Sequence, residues 1–151
     1  MSRKPFRKMT ILVAALVAFV AVGLAGPQAR ASEDKTIFYN LSTDETWRAG
    51  MALGQANKAL EEGYKVVVLL NVRGIYVAAR DREQDTMAPT GKTPQDLLKG
   101  ALDKGARVIV CPMCLKRTSL KMDDLIDGLE MAGPKVTFPL MTAEDTTVVS
   151  Y

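Results

Sequence analysis

Val66-Val67-Val68-Leu69-Leu70-Asn71 is the stretch on which the fold turns. A strand with one wet face alternates apolar and polar side chains, whereas a run apolar at every position suits the interior of a parallel sheet, covered on both faces. Thr36-Ile37-Phe38-Tyr39-Asn40-Leu41 upstream and Val108-Ile109-Val110-Cys111 downstream have the same character. Between the first two runs, Ser42 and Glu45 have capping-box spacing, and Trp47, Met51, Ala52, Ala56, Ala59 and Leu60 recur at helical intervals up to Gly63. This predicts a βαβ unit. Gly50 and Gly54, four apart in that helix, are expected where it lies close on the sheet.

A second crossover is expected next. Thr93 can cap a helix with Pro94 in its first turn, Leu97, Leu98, Ala101 and Leu102 form its stripe, and Gly105 ends it. Residues 81–92 are polar and turn-rich and read as an exposed loop. Beyond the cysteines, Leu120, Met122, Leu125, Ile126 and Leu129 suggest a short helix broken near Gly128, with Asp123, Asp124 and Asp127 on its solvated face. Lys135–Met141 is ambiguous between strand and irregular chain, since Pro134 and Pro139 oppose a central strand. Thr146–Tyr151 reads as a closing strand. The expected fold is therefore α/β: a single-domain open parallel sheet with helices on both faces, in flavodoxin- or Rossmann-like layers.

The chain has 151 residues, two cysteines and no histidine. Without histidine it cannot supply a Ser-His-Asp triad, an H-E-x-x-H zinc site or a Cys-His pair. At its start, Arg3, Lys4, Arg7 and Lys8 precede the apolar run Ile11–Val22, and Ala29-Arg30-Ala31 is an A-x-A cleavage pattern. Residues 1–31 therefore read as a cleavable Sec-type signal peptide, too short in its apolar run for a spanning helix, and residues 32–151 as the mature domain. The expected location is the periplasm or the extracellular space, with no membrane association after cleavage. Without Arg3, Lys4, Arg7, Lys8 and Arg30, the 20 Lys+Arg fall to 15 against 17 Asp+Glu, a net charge of −2. That argues against nucleic acid as a partner.

Right-handed crossovers bring all βα loops to one sheet edge, where ligands of such folds bind. Asn40 to Asp44, Asn71 to Gly74 and Cys111 to Cys114 fall there, so Asn40, Asp44, Asn71 and Arg73 are expected to line a cleft around the thiols. Cys111-Pro112-Met113-Cys114 is the reactive constellation. A thiol attacks as thiolate, and Lys116 and Arg117 are candidates to stabilise that form. Three chemistries fit the pair: dithiol–disulfide exchange, soft-metal binding of Cu(I) with Met113, or carriage of sulfane sulfur as a persulfide. The first is disfavoured because the residues after Cys114 are polar and not obviously helical. A closed zinc site lacks ligands. Thr90-Gly91-Lys92-Thr93 resembles the end of a P-loop, but Thr86 stands where its first glycine belongs.

The ordered set Asn40-Leu41-Ser42-Thr43-Asp44, Met51-Ala52-Leu53-Gly54-Gln55-Ala56, Gly63-Tyr64-Lys65-Val66, Leu70-Asn71-Val72-Arg73-Gly74, Cys111-Pro112-Met113-Cys114 and Thr146-Thr147-Val148-Val149-Ser150-Tyr151 resembles the DsrE/DsrF-like sulfur-relay family, with its TusD and YchN types. The resemblance implies a DsrE-type α/β fold, assembly into homo-oligomers (trimers or hexamers), no cofactor, and sulfur carried on Cys111 with Cys114 as a second thiol. A sulfur donor and an acceptor protein or small thiol would be its partners. The family often continues with Arg-Gly where this chain has Thr118-Ser119. Outside the cytoplasm the two cysteines could rest as a disulfide. The alternatives are a thiol–disulfide redox protein and a non-catalytic oligomeric module binding Cu(I) or a small sulfur ligand.

Overall fold

The computed structural model describes residues 34–151. The expected export segment, residues 1–31, lies outside the described residues. Five strands, β1 (Thr36–Leu41), β2 (Lys65–Leu70), β3 (Arg107–Val110), β4 (Leu129–Met131) and β5 (Thr146–Ser150), form one parallel sheet in the order β4-β3-β2-β1-β5. Four α-helices connect them: α1 (Thr46–Glu61), α2 (Pro94–Asp103), α3 (Pro112–Thr118) and α4 (Pro134–Thr142). This is the expected open parallel α/β sheet.

The strand order dictates which face each helix covers. The chain steps from β1 to β2, β3 and β4 in one direction, so right-handed crossovers place α1, α2 and α3 on the same face. The step from β4 back across to β5 reverses direction and puts α4 on the other. Side chains follow the strand period of two: Tyr39, Leu41, Val66, Val68, Leu70, Val108 and Val110 share a core with Ala52, Leu53, Ala56, Leu97, Leu98 and Ala101. Phe38, Val67 and Ile109 point the other way, against Ala132, Val136, Leu140 and Met141.

Local differences from the sequence reading have physical causes. Ser42 and Glu45 make no capping box: Glu45 is itself the N-cap, its carboxylate accepting from Trp47 N–H (2.8 Å) and Arg48 N–H (2.9 Å). Ser42 instead donates through Oγ to the Tyr151 carbonyl at 2.6 Å. Trp47 (54 % exposed) and Met51 (40 %) are outside the buried stripe of α1, which is Ala49, Gly50, Ala52, Leu53, Ala56 and Ala59. The close approach at Gly50 is to Met87 rather than to the sheet, and nothing crowds Gly54. Met87 is buried and Arg82 and Gln84 bond to the body of the fold, so the loop 81–92 is pinned at several points rather than wholly solvated.

The expected helix through 120–129 is a single 3-10 turn, Met122–Asp124, followed by β4. Asp124 there accepts from Lys121 N–H, and Asp127 pairs with Arg80, so these carboxylates share no helix face. The ambiguous segment is helical: Pro134 occupies the first turn of α4 and Pro139 lies inside it. The second crossover forms as read, with a complete Thr93–Asp96 capping box. Asn57 Nδ2 on α1 donates to both the Leu53 and the Leu97 carbonyls at 2.8 Å, bolting α1 to α2.

Candidate functional site: a dithiol at the sheet edge

The carboxyl ends of β1, β2 and β3 meet as expected, and their loops are tied together by the backbone. Asn71 N–H donates to Leu41 C=O (3.0 Å), Arg73 N–H to Ser42 C=O (3.2 Å), and Cys111 N–H to Leu70 C=O (3.0 Å). Gly74 permits this approach, because a Cβ there would collide with the Leu41 carbonyl oxygen. The four polar residues of these strand ends sort into two pairs. Asn71 Nδ2 donates to Asn40 Oδ1 at 2.6 Å, while Asn71 Oδ1 is buried without a partner. Arg73 grips Asp44 with Nε and Nη2 at 2.7 and 2.8 Å, and Arg82 adds a third contact to the same carboxylate at 2.6 Å.

Arg82 and Tyr76 escaped the sequence reading. The guanidinium of Arg82 lies 4.2 Å from the Tyr76 ring centroid and that of Arg73 5.4 Å, both within cation–π range. Residues 74–78 form a 3-10 helix that presents Tyr76 to them. A cavity of about 400 Å³ lies there, lined by Tyr76, Ala79, Asp81, Arg82, Leu120 and Asp124. A larger groove of about 660 Å³, whose lining includes Arg80, Lys99, Asp103 and Asp127, contains neither cysteine.

Cys111 is the N-cap of α3 and Pro112 its first residue, so the C-x-x-C does open a helix, contrary to the sequence expectation. Its signal was faint because only Leu115 of the seven residues is buried. Both thiols are free, and Cys114 donates through its S–H to Cys111 Sγ at 2.8 Å. Cys114 in turn accepts from Val72 N–H at 3.0 Å. Burial, then the bond to Cys111, push the Cys114 thiol up, and the Val72 amide opposes them.

Val72 makes its bond from an unusual backbone. Its φ is +45°, a left-handed conformation that a β-branched residue adopts only under constraint, at a cost of about 1–3 kcal/mol. Val72 is 59 % and Met113 80 % exposed, so apolar side chains flank the thiols on the surface. Lys116 and Arg117 occupy the last turn of α3, both exposed. Ser119, at φ +59°, closes that helix. Among the described residues, no group of three or more His, Cys, Asp or Glu side chains is placed to hold a metal ion.

The fold and site together define a parallel α/β protein with a helix-opening dithiol at the carboxyl edge of its central strands. The chain belongs to the DsrE/DsrF-like family, whose pattern matches residues 35–149. Among curated relatives it is 39 % identical over 85 residues to the uncharacterised protein MJ0989 of Methanocaldococcus jannaschii, covering 56 % of this chain and 71 % of that one. It is 32 % identical over 85 residues to the uncharacterised protein MK0008 of Methanopyrus kandleri, covering 56 % and 67 %. Two solved structures share the fold at 16 % identity, each over 78 % of this chain. The ychN protein of E. coli is covered to 98 % with a TM-score of 0.65, and MTH1491 of Methanobacterium thermoautotrophicum to 100 % with a TM-score of 0.63.

Proposed function

We propose that this chain carries sulfane sulfur on Cys111. The observation that carries the reading is the 2.8 Å donation from Cys114 S–H to Cys111 Sγ at the end of β3, which supports negative charge on the attacking sulfur. Family membership supports it as well. The Cys111 thiolate attacks the outer sulfur of a donor persulfide or polysulfide. A Cys111 Sγ–S bond forms, and the donor S–S bond breaks with its electron pair leaving on the donor thiolate, or on sulfite where thiosulfate is the donor. An acceptor thiolate then attacks that outer sulfur and returns Cys111 as thiolate. Alternatively, Cys114 attacks Cys111 Sγ of the persulfide, making the intramolecular disulfide and releasing hydrosulfide. Lys116 and Arg117 are assigned to thiolate stabilisation, Asn40, Asp44, Asn71 and Arg73 to the cleft, and export to residues 1–31.

Reduced protein incubated with polysulfide or thiosulfate should gain the mass of one sulfur atom on Cys111. Absence of the gain both in the wild type and in Cys114→Ser, which cannot discharge the persulfide into a disulfide, or its persistence in Cys111→Ser, would overturn the assignment. Export is tested separately, by finding a cleaved chain starting at Ser32 outside the cytoplasm.

A second reading, a thiol–disulfide redox protein, is favoured by one finding: Cys111 caps a helix that Pro112 opens, with both sulfurs in contact as thiols. A pair that titrates reversibly above roughly −300 mV would support it, whereas one that stays oxidised under strong reductant is structural.

A further inference from the structure

The hydrogen bond from Val72 to Cys114 depends on a backbone conformation that valine does not choose. Its two neighbours are anchored: Asn71 N–H to Leu41 C=O, and Arg73 N–H to Ser42 C=O. The Arg73 side chain is anchored separately, by the two-pronged grip on Asp44. Asp44 is half-buried, with its side chain 11 % exposed, and is fixed from a third direction by Arg82. These contacts run from the β1–α1 loop through the β2 loop to the thiol.

We infer that Asp44 is a positioning residue for the dithiol: through Arg73 it holds Val72 left-handed, so that the Val72 N–H is aimed at Cys114 Sγ. The inference rests on the reading of Cys111 and Cys114 as the working groups, but not on sulfur being what they carry. Strained backbone of this kind persists where the surroundings over-determine it. No other bond in the cleft offers Cys114 a backbone donor among the described residues.

The test follows the pH dependence of Cys114 alkylation, in the full-length chain carrying Cys111→Ser, with no sulfur donor present. Two effects of Asp44→Asn have opposite signs. Removing a carboxylate beside Arg73 and Arg82 leaves net positive charge, which by itself favours the thiolate and moves the alkylation profile to lower pH. Loss of an aimed N–H moves it to higher pH. The expected result is a shift upward by about one pH unit, a roughly tenfold lower thiolate fraction near neutrality, the size of one charge-assisted hydrogen bond. Adding Val72→Gly to Asp44→Asn should reverse the shift, since glycine takes φ > 0 without constraint. Arg73→Lys, which keeps the charge and loses the fork, should shift the profile the same way by less, and serves if Asp44→Asn does not fold. An unchanged or lowered profile in the folded variants, or no reversal by Val72→Gly, overturns the inference. Because no sulfur is transferred, failure here is distinguishable from failure of the carrier reading.

Discussion

The two faces of the sheet are unequal. On one, three helices, a 3-10 turn and the buried Met87 loop cover seven strand side chains, and Cys114 and Leu115 pack into the same core. On the other, among the described residues, α4 and the preceding Ala132 cover Phe38, Val67 and Ile109, while Phe138 (63 % exposed) and Val148 (41 %) remain open to solvent. Parallel sheets are ordinarily buried on both sides. The difference teaches a division of labour: the thick face holds the fold and the thiols, and the thin face has apolar surface left to cover. A homo-oligomer formed through the thin face would complete it.

Substitutions can break or sharpen that contrast. Leu98→Ala, in the fully buried thick face, should cost about 2–5 kcal/mol in denaturant unfolding. Gly74→Ala drives a methyl into the Leu41 backbone at the rim of that face, and should cost about 1–3 kcal/mol while disturbing thiol reactivity. Gly50→Ala meets the side chain of buried Met87 from Cγ to Cε rather than backbone, and should cost less than Gly74→Ala because that side chain can turn aside. Leu140→Ala, half-buried on the thin face, should cost about 1 kcal/mol if the face is open, and as much as Leu98→Ala if a second copy covers it. Phe138→Glu should change unfolding of the isolated chain by no more than about 0.5 kcal/mol, yet dissociate an oligomer built on this face, as read by sedimentation.

The smallest effect concerns pH. Glu61 is pulled down from 4.5 to about 2, first by Lys104 and then by Lys58, and Glu130 is lowered by Arg107. Carboxylates with depressed folded values stabilise above their unfolded values and lose that contribution as pH falls through the folded ones. Melting temperature should therefore decline between about pH 4.5 and 2. These groups are exposed, so the decline should be slight and shrink further in high salt.

The sheet was legible in the sequence because buried strands in a parallel sheet announce themselves as unbroken aliphatic runs, and α2 because its cap, proline and glycine agree. What escaped is short or non-periodic. In α3 one buried residue gives no period to count, and β4 is three residues long with only Leu129 partly covered. Pro134 and Pro139 argued only against a central strand at 135–141 and gave no sign of a helix, yet the helical bond Pro139 forfeits would involve the carbonyl of exposed Lys135, which water can serve. At the site, the strand-end rule brought Asn40, Asp44, Asn71, Arg73 and both cysteines to one edge. The rule could not say who pairs with whom. Arg82 lay in a polar loop with no local pattern, and the left-handed turn at Val72 runs against the preference of valine itself.

The amide of Asn57 spans two helices with one nitrogen, and this fixes how the molecule can breathe. The first and second crossovers should open together as a single slab in hydrogen exchange, rather than fraying one after the other. Slower rearrangements would then fall to the strand-end turns, which move against a platform that stays put.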